Sequence, residues 1–164
     1  MKNINENIET WIFDLDNTLY SADSGIFQQV GDLMGKFVSN HLKIDIKEAK
    51  KIQTKYYKEH GTTLRGMMDN HNVSPDYFLE EVHKLDYSIV EPNLKLNKEL
   101  SKLKGNKIIY TNANLKHAKD VLSRLELSNM FDFIFDIKMA KYIPKPEITP
   151  YNQIIKEFHI NPKR

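Results

Sequence analysis

The stretch WIFDLDNTLY, residues 11–20, decides how the chain folds. Residues 11–13 form a short run of aromatic and β-branched side chains, which is typical of a buried strand. Residues 14–18 form a polar cluster suited to a loop at the end of that strand. Ionised aspartates at such a position are costly unless they are paired, hydrogen-bonded or bound to a metal. Asp14 and Asp16 therefore indicate a site and not core packing.

Two further short strands are predicted much later in the chain, at residues 107–110 and 133–135. Strands that alternate with helical patterns predict an α/β fold with a Rossmann-like parallel sheet. Ligands of such sheets bind outside the carboxyl ends of the strands. Polar residues 111–114 follow the second run, and Lys145 lies in a proline-flanked loop after the third. We expect these residues to meet Asp14 at one edge of the sheet.

The segment between the first two strands is almost wholly helical in pattern. Asp45 and Ser74 are typical helix N-caps, and Gly61 interrupts the helical periodicity between them. Because this stretch is too long for one crossover connection, we expect it to form a separate module. The predicted domains are a sheet-containing core of residues 1–20 and 90–164 and a helical insert of residues 21–89.

Composition and charge narrow the functional class. The chain has 24 basic and 22 acidic residues, and its lysines are scattered, so nothing indicates a nucleic-acid partner. The absence of cysteine excludes disulfides, thiolate metal sites and cysteine nucleophiles, and it suits a reducing cytoplasm. The polar N-terminus does not resemble a signal peptide, and no apolar run approaches the ~18 residues of a membrane span. We expect a cytoplasmic protein without a membrane partner.

The predicted site has the parts that phosphoryl transfer needs, namely a nucleophile, a proton shuttle, a cation and donors to the phosphate oxygens. Asp14 offers a carboxylate nucleophile, and Asp16 could protonate the leaving oxygen. Thr111 and Asn112 offer a hydroxyl, an amide and main-chain N–H groups at a helix N-terminus, and Lys145 adds a positive charge. Each part has a plainer alternative, since paired aspartates often make turns and a lone lysine in a loop is usually just exposed. Their order along the strands favours a site.

The three motifs resemble those of the haloacid dehalogenase (HAD) superfamily. Residues 14–20 match its DxDxT signature, residues 109–112 are similar to its second motif, and residues 144–146 are similar to its third. The resemblance implies a helical C1 cap inserted after the first strand. It also implies a small-molecule phosphate ester as the binding partner and Mg²⁺ as the cofactor.

The resemblance also assigns roles to single residues. Asp14 would be the nucleophile that becomes aspartyl-phosphate, and Asp16 would be the general acid and base. Thr111 would bind the phosphate, and Lys145 would steady the nucleophile and the transferring group. Mg²⁺ would be held by the Asp14 carboxylate and the main-chain carbonyl of Asp16.

Two features indicate a branch of the superfamily. Members that hydrolyse C–X bonds lack an acid at the position of Asp16, so its presence favours a phosphatase or phosphomutase. Residues 57–66 resemble a segment of the pyrimidine 5′-nucleotidase branch, which implies substrate contacts by Thr62, Thr63 and Arg65. The alternative is a helix-breaking turn that packs inside the cap. A HAD phosphatase for another small ester, such as a sugar phosphate or phosphoglycolate, also remains open.

The family's fourth motif, a strand that ends in acidic metal ligands, should begin just after residue 164. We therefore expect a C-terminally truncated member with weak turnover and an unpaired first strand. The alternative is a catalytically impaired remnant that binds a phosphorylated ligand. Asp136 is a poor candidate for the missing acid. The 6 histidines have no ligand spacing, so none is assigned to a metal.

Overall fold

The sheet of the computed structural model, which describes residues 8–163, has three parallel strands in the order β1-β2-β3. The strands are β1 (Thr10–Phe13), β2 (Asn106–Tyr110) and β3 (Phe133–Phe135). Phe13 pairs in register with Ile109, and Tyr110 pairs with Phe135. The carboxyl ends of the strands therefore lie at one edge of the sheet, and the predicted α/β fold is confirmed.

Helices account for most of the remaining described residues. The α-helices are α1 (Ile26–Leu42), α2 (Ile46–His60), α3 (Thr63–His71), α4 (Pro75–Val82), α5 (Leu94–Leu100), α6 (Leu115–Arg124) and α7 (Ile148–Glu157). Two short 3₁₀ turns, which the sequence did not predict, lie at Ala22–Ser24 and Tyr87–Ile89. None of these helices is both long and apolar enough to cross a membrane.

The chain divides into two compact units, which we call the sheet unit and the helical unit. The sheet unit comprises described residues 8–24 and 87–163, and the helical unit is Gly25–Asp86. In the sheet unit the central strand β2 is buried at Ile108, Ile109 and Tyr110, as expected for a parallel strand covered on both faces. The identification of the helical unit as a substrate cap stays a prediction.

In the helical unit α1 packs against α2 and α4, and α2 packs against α3. The local signals in the sequence set the helix ends. Asp45 accepts hydrogen bonds from the N–H groups of Lys47 and Glu48 at the start of α2. Gly61 ends that helix in the left-handed conformation, with φ of 80°, which glycine adopts without a steric penalty.

Gly66 of α3 lies against Tyr56 of α2. A Cβ atom at this position would stand 2.3 Å from the ring of Tyr56, far inside van der Waals contact. We expect Gly66→Ala to destabilise the protein by about 1–3 kcal/mol through overpacking, measured by urea unfolding. Gly31→Ala in α1 is the matched control. Among the described residues, no atom other than the neighbouring backbone of α1 lies within 4 Å of its added methyl group, so Gly31→Ala should stabilise by about 0.5–1 kcal/mol. Equal effects of both substitutions would contradict the close approach.

Candidate active site

The loop that follows β1 is a tight turn anchored by Leu15, whose side chain is fully buried. The carbonyl of Leu15 accepts hydrogen bonds from the N–H groups of Thr18, at 3.2 Å, and Leu19, at 3.0 Å. Asn17 has a φ of 58°, a left-handed conformation that asparagine tolerates better than most residues. This turn places side chains four residues apart next to each other. Asp14 consequently pairs with Thr18, and Asp16 pairs with Tyr20.

The Asp14 carboxylate has a donor on each oxygen. The Thr18 hydroxyl donates to Oδ2 at 2.9 Å, and the Lys145 ammonium donates to Oδ1. The Asp14 side chain is nonetheless 44% exposed. Asp14 is thus a charged, oriented and accessible carboxylate, which is what a nucleophile requires.

Lys145 is held in place by Tyr110 of the second strand and by Asn112, which follows that strand. Its Nζ also donates to the carbonyl of Tyr110 at 2.9 Å and lies 5.1 Å from the centre of that ring. Burial raises the pKa of Tyr110 to about 12, so the ring faces the cation as a neutral phenol. The main-chain N–H of Lys145 donates to Oδ1 of Asn112 at 2.8 Å. Asn112, which we predicted to bind phosphate, therefore ties the third motif to the second.

Asp16 receives hydrogen bonds on both of its carboxylate oxygens. The Tyr20 hydroxyl donates to Oδ1 at 2.7 Å, and Nε2 of His117 lies 2.7 Å from the same oxygen. The Thr111 hydroxyl donates to Oδ2 at 3.2 Å. Burial, and then the charge of Asp16, raises the pKa of Tyr20 well above its usual value, so Tyr20 keeps its proton and remains a donor. The structure brings Asp14, Asp16, Thr111 and Lys145 together as predicted.

The N-terminus of α6, a predicted phosphate site, already uses several of its N–H groups internally. The N–H of Ala113 donates to the buried Thr111 hydroxyl at 3.0 Å, and that of His117 donates to Asn114 at 2.8 Å. The N–H of Leu115 donates to Asp136 at 2.9 Å. Phosphate binding by Thr111, Asn112 and Lys145 stays a prediction.

Asp136, the poor candidate for a further metal ligand, has a structural role. It is 6% exposed, and its two oxygens accept the N–H groups of Leu115 and Met139, each at 2.9 Å. Within residues 8–163 no group of three or more histidine, aspartate or glutamate side chains is arranged to hold a metal. Asp14 is accordingly the carboxylate of the site that is best exposed to a cation.

The three residues predicted to contact substrate from the helical unit make bonds within that unit. Thr62 caps α3 by accepting the N–H of Arg65 at 3.1 Å. Thr63 is 4% exposed and donates to the carbonyl of Gln53 at 3.4 Å. The Arg65 guanidinium pairs with Asp69 at 3.0 Å. A substrate role for Thr62, Thr63 and Arg65 stays a prediction.

Sequence reasoning missed the residues that support the two aspartates. Thr18 and Tyr20 belong to the first motif, but no role was assigned to them. His117 was set aside because the histidines lack ligand spacing, although its place one turn beyond the second motif was a usable signal. Tyr87, which bonds to His117 at 3.0 Å, had no signal in the sequence at all.

The three motifs, which follow three parallel strands, can be compared with those of known protein families. The sequence model of the haloacid dehalogenase-like hydrolases matches residues 8–164. The chain belongs to this family. The HAD resemblance inferred from residues 14–20, 109–112 and 144–146 is thereby confirmed.

The known proteins that are similar to this HAD hydrolase include a yeast protein and a bacterial dehalogenase. Phosphate metabolism protein 8 of Saccharomyces cerevisiae is 27% identical over 138 residues, covering 77% of this chain and 42% of that protein. L-2-haloacid dehalogenase from Xanthobacter autotrophicus superposes with a TM-score of 0.53, over 94% of this chain and 66% of the dehalogenase, at 17% identity. Its complex with covalently bound chloropropionic acid matches with the same TM-score, at 14% identity. At these identities the dehalogenase shows a shared fold alone. The chain spans less than half the length of the yeast protein.

Proposed function

We propose that this HAD hydrolase is a phosphomonoester hydrolase in which Asp14 is the covalent nucleophile. The observation that carries the proposal is the pairing of an exposed Asp14 carboxylate with the Lys145 ammonium, next to a second carboxylate, Asp16. The lysine charge offsets the repulsion between the nucleophile and an anionic phosphate ester. Asp16 supplies the acid that an alkoxide leaving group needs, whereas halide departure needs none.

The proposed reaction has two steps. A carboxylate oxygen of Asp14 attacks phosphorus, the bond between phosphorus and the ester oxygen breaks, and the leaving oxygen takes a proton from Asp16. Water then attacks the phosphorus of the aspartyl-phosphate, the bond between phosphorus and the Asp14 oxygen breaks, and Asp16 takes back a proton from that water. The products are an alcohol, inorganic phosphate and the original Asp14 carboxylate.

Mg²⁺ belongs to the proposal, and the donors present fit it. Mg²⁺ prefers hard oxygen ligands and commonly uses one or two carboxylates together with waters and substrate phosphate. The Asp14 carboxylate and the main-chain carbonyl of Asp16 would hold it. The cation would neutralise charge on the phosphoryl oxygens.

We propose nucleoside 5′-monophosphates as substrates, with pyrimidine nucleotides first among them. The support is the resemblance of residues 57–66 to the pyrimidine 5′-nucleotidase branch. The printed name of the yeast relative, a phosphate metabolism protein, agrees with a phosphate ester in general. A cytoplasmic location is part of the same proposal, because the chain has no cysteine.

A substrate panel tests the proposal. The protein is incubated with UMP, CMP, a sugar phosphate, phosphoglycolate and 2-chloropropionate, with Mg²⁺ or with a chelator, and phosphate or chloride release is measured. We expect phosphate release that requires Mg²⁺ and is fastest with UMP or CMP. Faster release from the sugar phosphate or phosphoglycolate would mean that the substrate is one of these small esters and not a nucleotide. Chloride release without phosphate release would refute the phosphatase.

A further inference from the structure

His117 connects the second carboxylate of the site to a tyrosine on another segment. Its Nε2 lies 2.7 Å from Oδ1 of Asp16, and its Nδ1 lies 3.0 Å from the Tyr87 hydroxyl. The imidazole is 1% exposed, so the ring itself is shielded from bulk water. The sheet unit therefore contains a continuous hydrogen-bonded chain from Tyr87 through His117 to Asp16.

The chemistry of the two partners sets the direction of both hydrogen bonds. A carboxylate oxygen only accepts, so the proton of the imidazole facing Asp16 must lie on Nε2. When the imidazole is neutral, Nδ1 is then an acceptor and the Tyr87 hydroxyl donates to it. Burial raises the pKa of Tyr87 above its usual value, which keeps the phenol protonated for this purpose. The Asp16 carboxylate thus requires the Nε2–H tautomer of His117, and the Tyr87 hydroxyl orients the same ring from its other nitrogen.

Hydrogen bonds to main-chain groups fix the positions of His117 and Tyr87. The N–H of His117 donates to the Asn114 cap of α6, so the imidazole starts from a defined helical turn. At the other end of α6, Arg124 donates to the carbonyls of Tyr87 and Ser88, each at 3.1 Å. Helix α6 therefore contains His117 and, through Arg124, also holds the segment that contains Tyr87.

We propose that His117, oriented by Tyr87, is the positioning residue for the general acid Asp16. The inference rests on the proposed phosphatase reaction. His117 and Tyr20 both bond to Oδ1, which fixes the rotation of the carboxyl group and turns Oδ2 toward Thr111. In the protonated form of the Asp16 carboxyl group, Oδ2 is then the oxygen that carries the proton and gives it to the leaving group as the phosphorus–oxygen bond breaks. His117 itself touches neither substrate nor the reacting atoms.

Two phosphate esters that differ in their leaving group test the positioning role of His117. An alkoxide such as the 5′-oxygen of a nucleoside needs a proton as it departs, whereas p-nitrophenolate leaves readily without one. We compare kcat/KM of the full chain for UMP and for p-nitrophenyl phosphate, because this constant reports the steps up to departure of the leaving group. Substituting His117→Ala should lower kcat/KM for UMP by ~10²-fold, the scale of lost acid catalysis. The fall with p-nitrophenyl phosphate should be at least ~10-fold smaller.

Further variants separate positioning from folding. His117→Gln keeps an N–H group near the place of Nε2 and should recover most of the lost rate. Tyr87→Phe removes one hydroxyl and should show the same leaving-group pattern to a smaller degree. Tyr56→Phe is the matched control, because the Tyr56 hydroxyl also bonds to a histidine, His71, at 2.6 Å, but lies in the helical unit. It should leave the ratio of the two kcat/KM values unchanged.

A second readout needs no turnover. In protein labelled with ¹⁵N-histidine, measured without metal at one fixed pH, His117 should show the Nε2–H tautomer both in the wild type and in Tyr87→Phe, because the Asp16 carboxylate remains in both. An Nδ1–H tautomer in the wild type overturns the proposal. Equal losses of kcat/KM for both esters in the His117 and Tyr87 variants overturn it too, while the phosphatase stands. A wild type that releases phosphate from no ester refutes the phosphatase and the positioning role with it.

Discussion

Replacing Asp14 with asparagine should reduce phosphate release to background, a loss on the order of 10⁴- to 10⁶-fold, as when other covalent nucleophiles are removed. An amide has no charge with which to attack phosphorus and does not form the acyl-phosphate. The substitution keeps the shape of the side chain and an acceptor for the Thr18 hydroxyl. Because the Asp14 side chain is 44% exposed, the fold should tolerate it. The measurement is steady-state phosphate release, with thermal unfolding as the check on folding.

The chain offers a closely matched control in Asp32→Asn. The Asp32 side chain is also 44% exposed and also pairs with a lysine, Lys50, at 3.0 Å, but it lies on α1 of the helical unit. This variant should retain full turnover. A phosphoryl group that becomes attached to wild-type protein and is absent from Asp14→Asn, detected by mass spectrometry after acid quench, would identify the covalent step. Turnover by Asp14→Asn above a tenth of wild type would contradict a covalent role.

The fold was predictable because its signals are local. β3, at Phe133–Phe135, coincides with a three-residue apolar run, and Gly61 ends α2 where the helical periodicity breaks. Asp45 and Ser74 accept hydrogen bonds from main-chain N–H groups two or three residues ahead, so neighbouring residues decide whether they act as caps. The 3₁₀ turn at Tyr87–Ile89 has no comparable pattern, and the sequence did not reveal it.

The site was predictable only in part, because its contacts join distant parts of the chain. The order of motifs along the strands was enough to bring Asp14, Asp16, Thr111 and Lys145 together. It did not determine which atoms bond. His117 meets Asp16 across 101 residues of sequence, so no spacing rule relates the two. Parallel strands bring the ends of distant segments to one edge, and the side-chain partners there follow from three-dimensional packing.

Replacing Lys145 with methionine should lower kcat by ~10²- to 10³-fold, the scale of losing one preorganised charge at a reacting centre. Methionine keeps much of the apolar stem that packs beside Tyr110 but removes the donor to Asp14 and to the Tyr110 carbonyl. The nucleophile itself remains, so the aspartyl-phosphate should still form, only more slowly. Single-turnover phosphorylation, followed by rapid quench, measures this directly.

A second lysine–aspartate pair, Lys50 with Asp32, provides the control for this test. Lys50→Met breaks the exposed pair with Asp32, and since such surface pairs contribute little, kcat should not change. Lys145→Met breaks the pair with Asp14 at the strand ends. Its loss of kcat should therefore depend on the presence of Asp14. Because both residues act on the same step, Lys145→Met should slow the attachment of the phosphoryl group to Asp14 in a single turnover at saturating substrate. An unchanged rate of phosphoryl attachment at saturating substrate, with a raised KM, would mean that Lys145 acts on substrate binding alone.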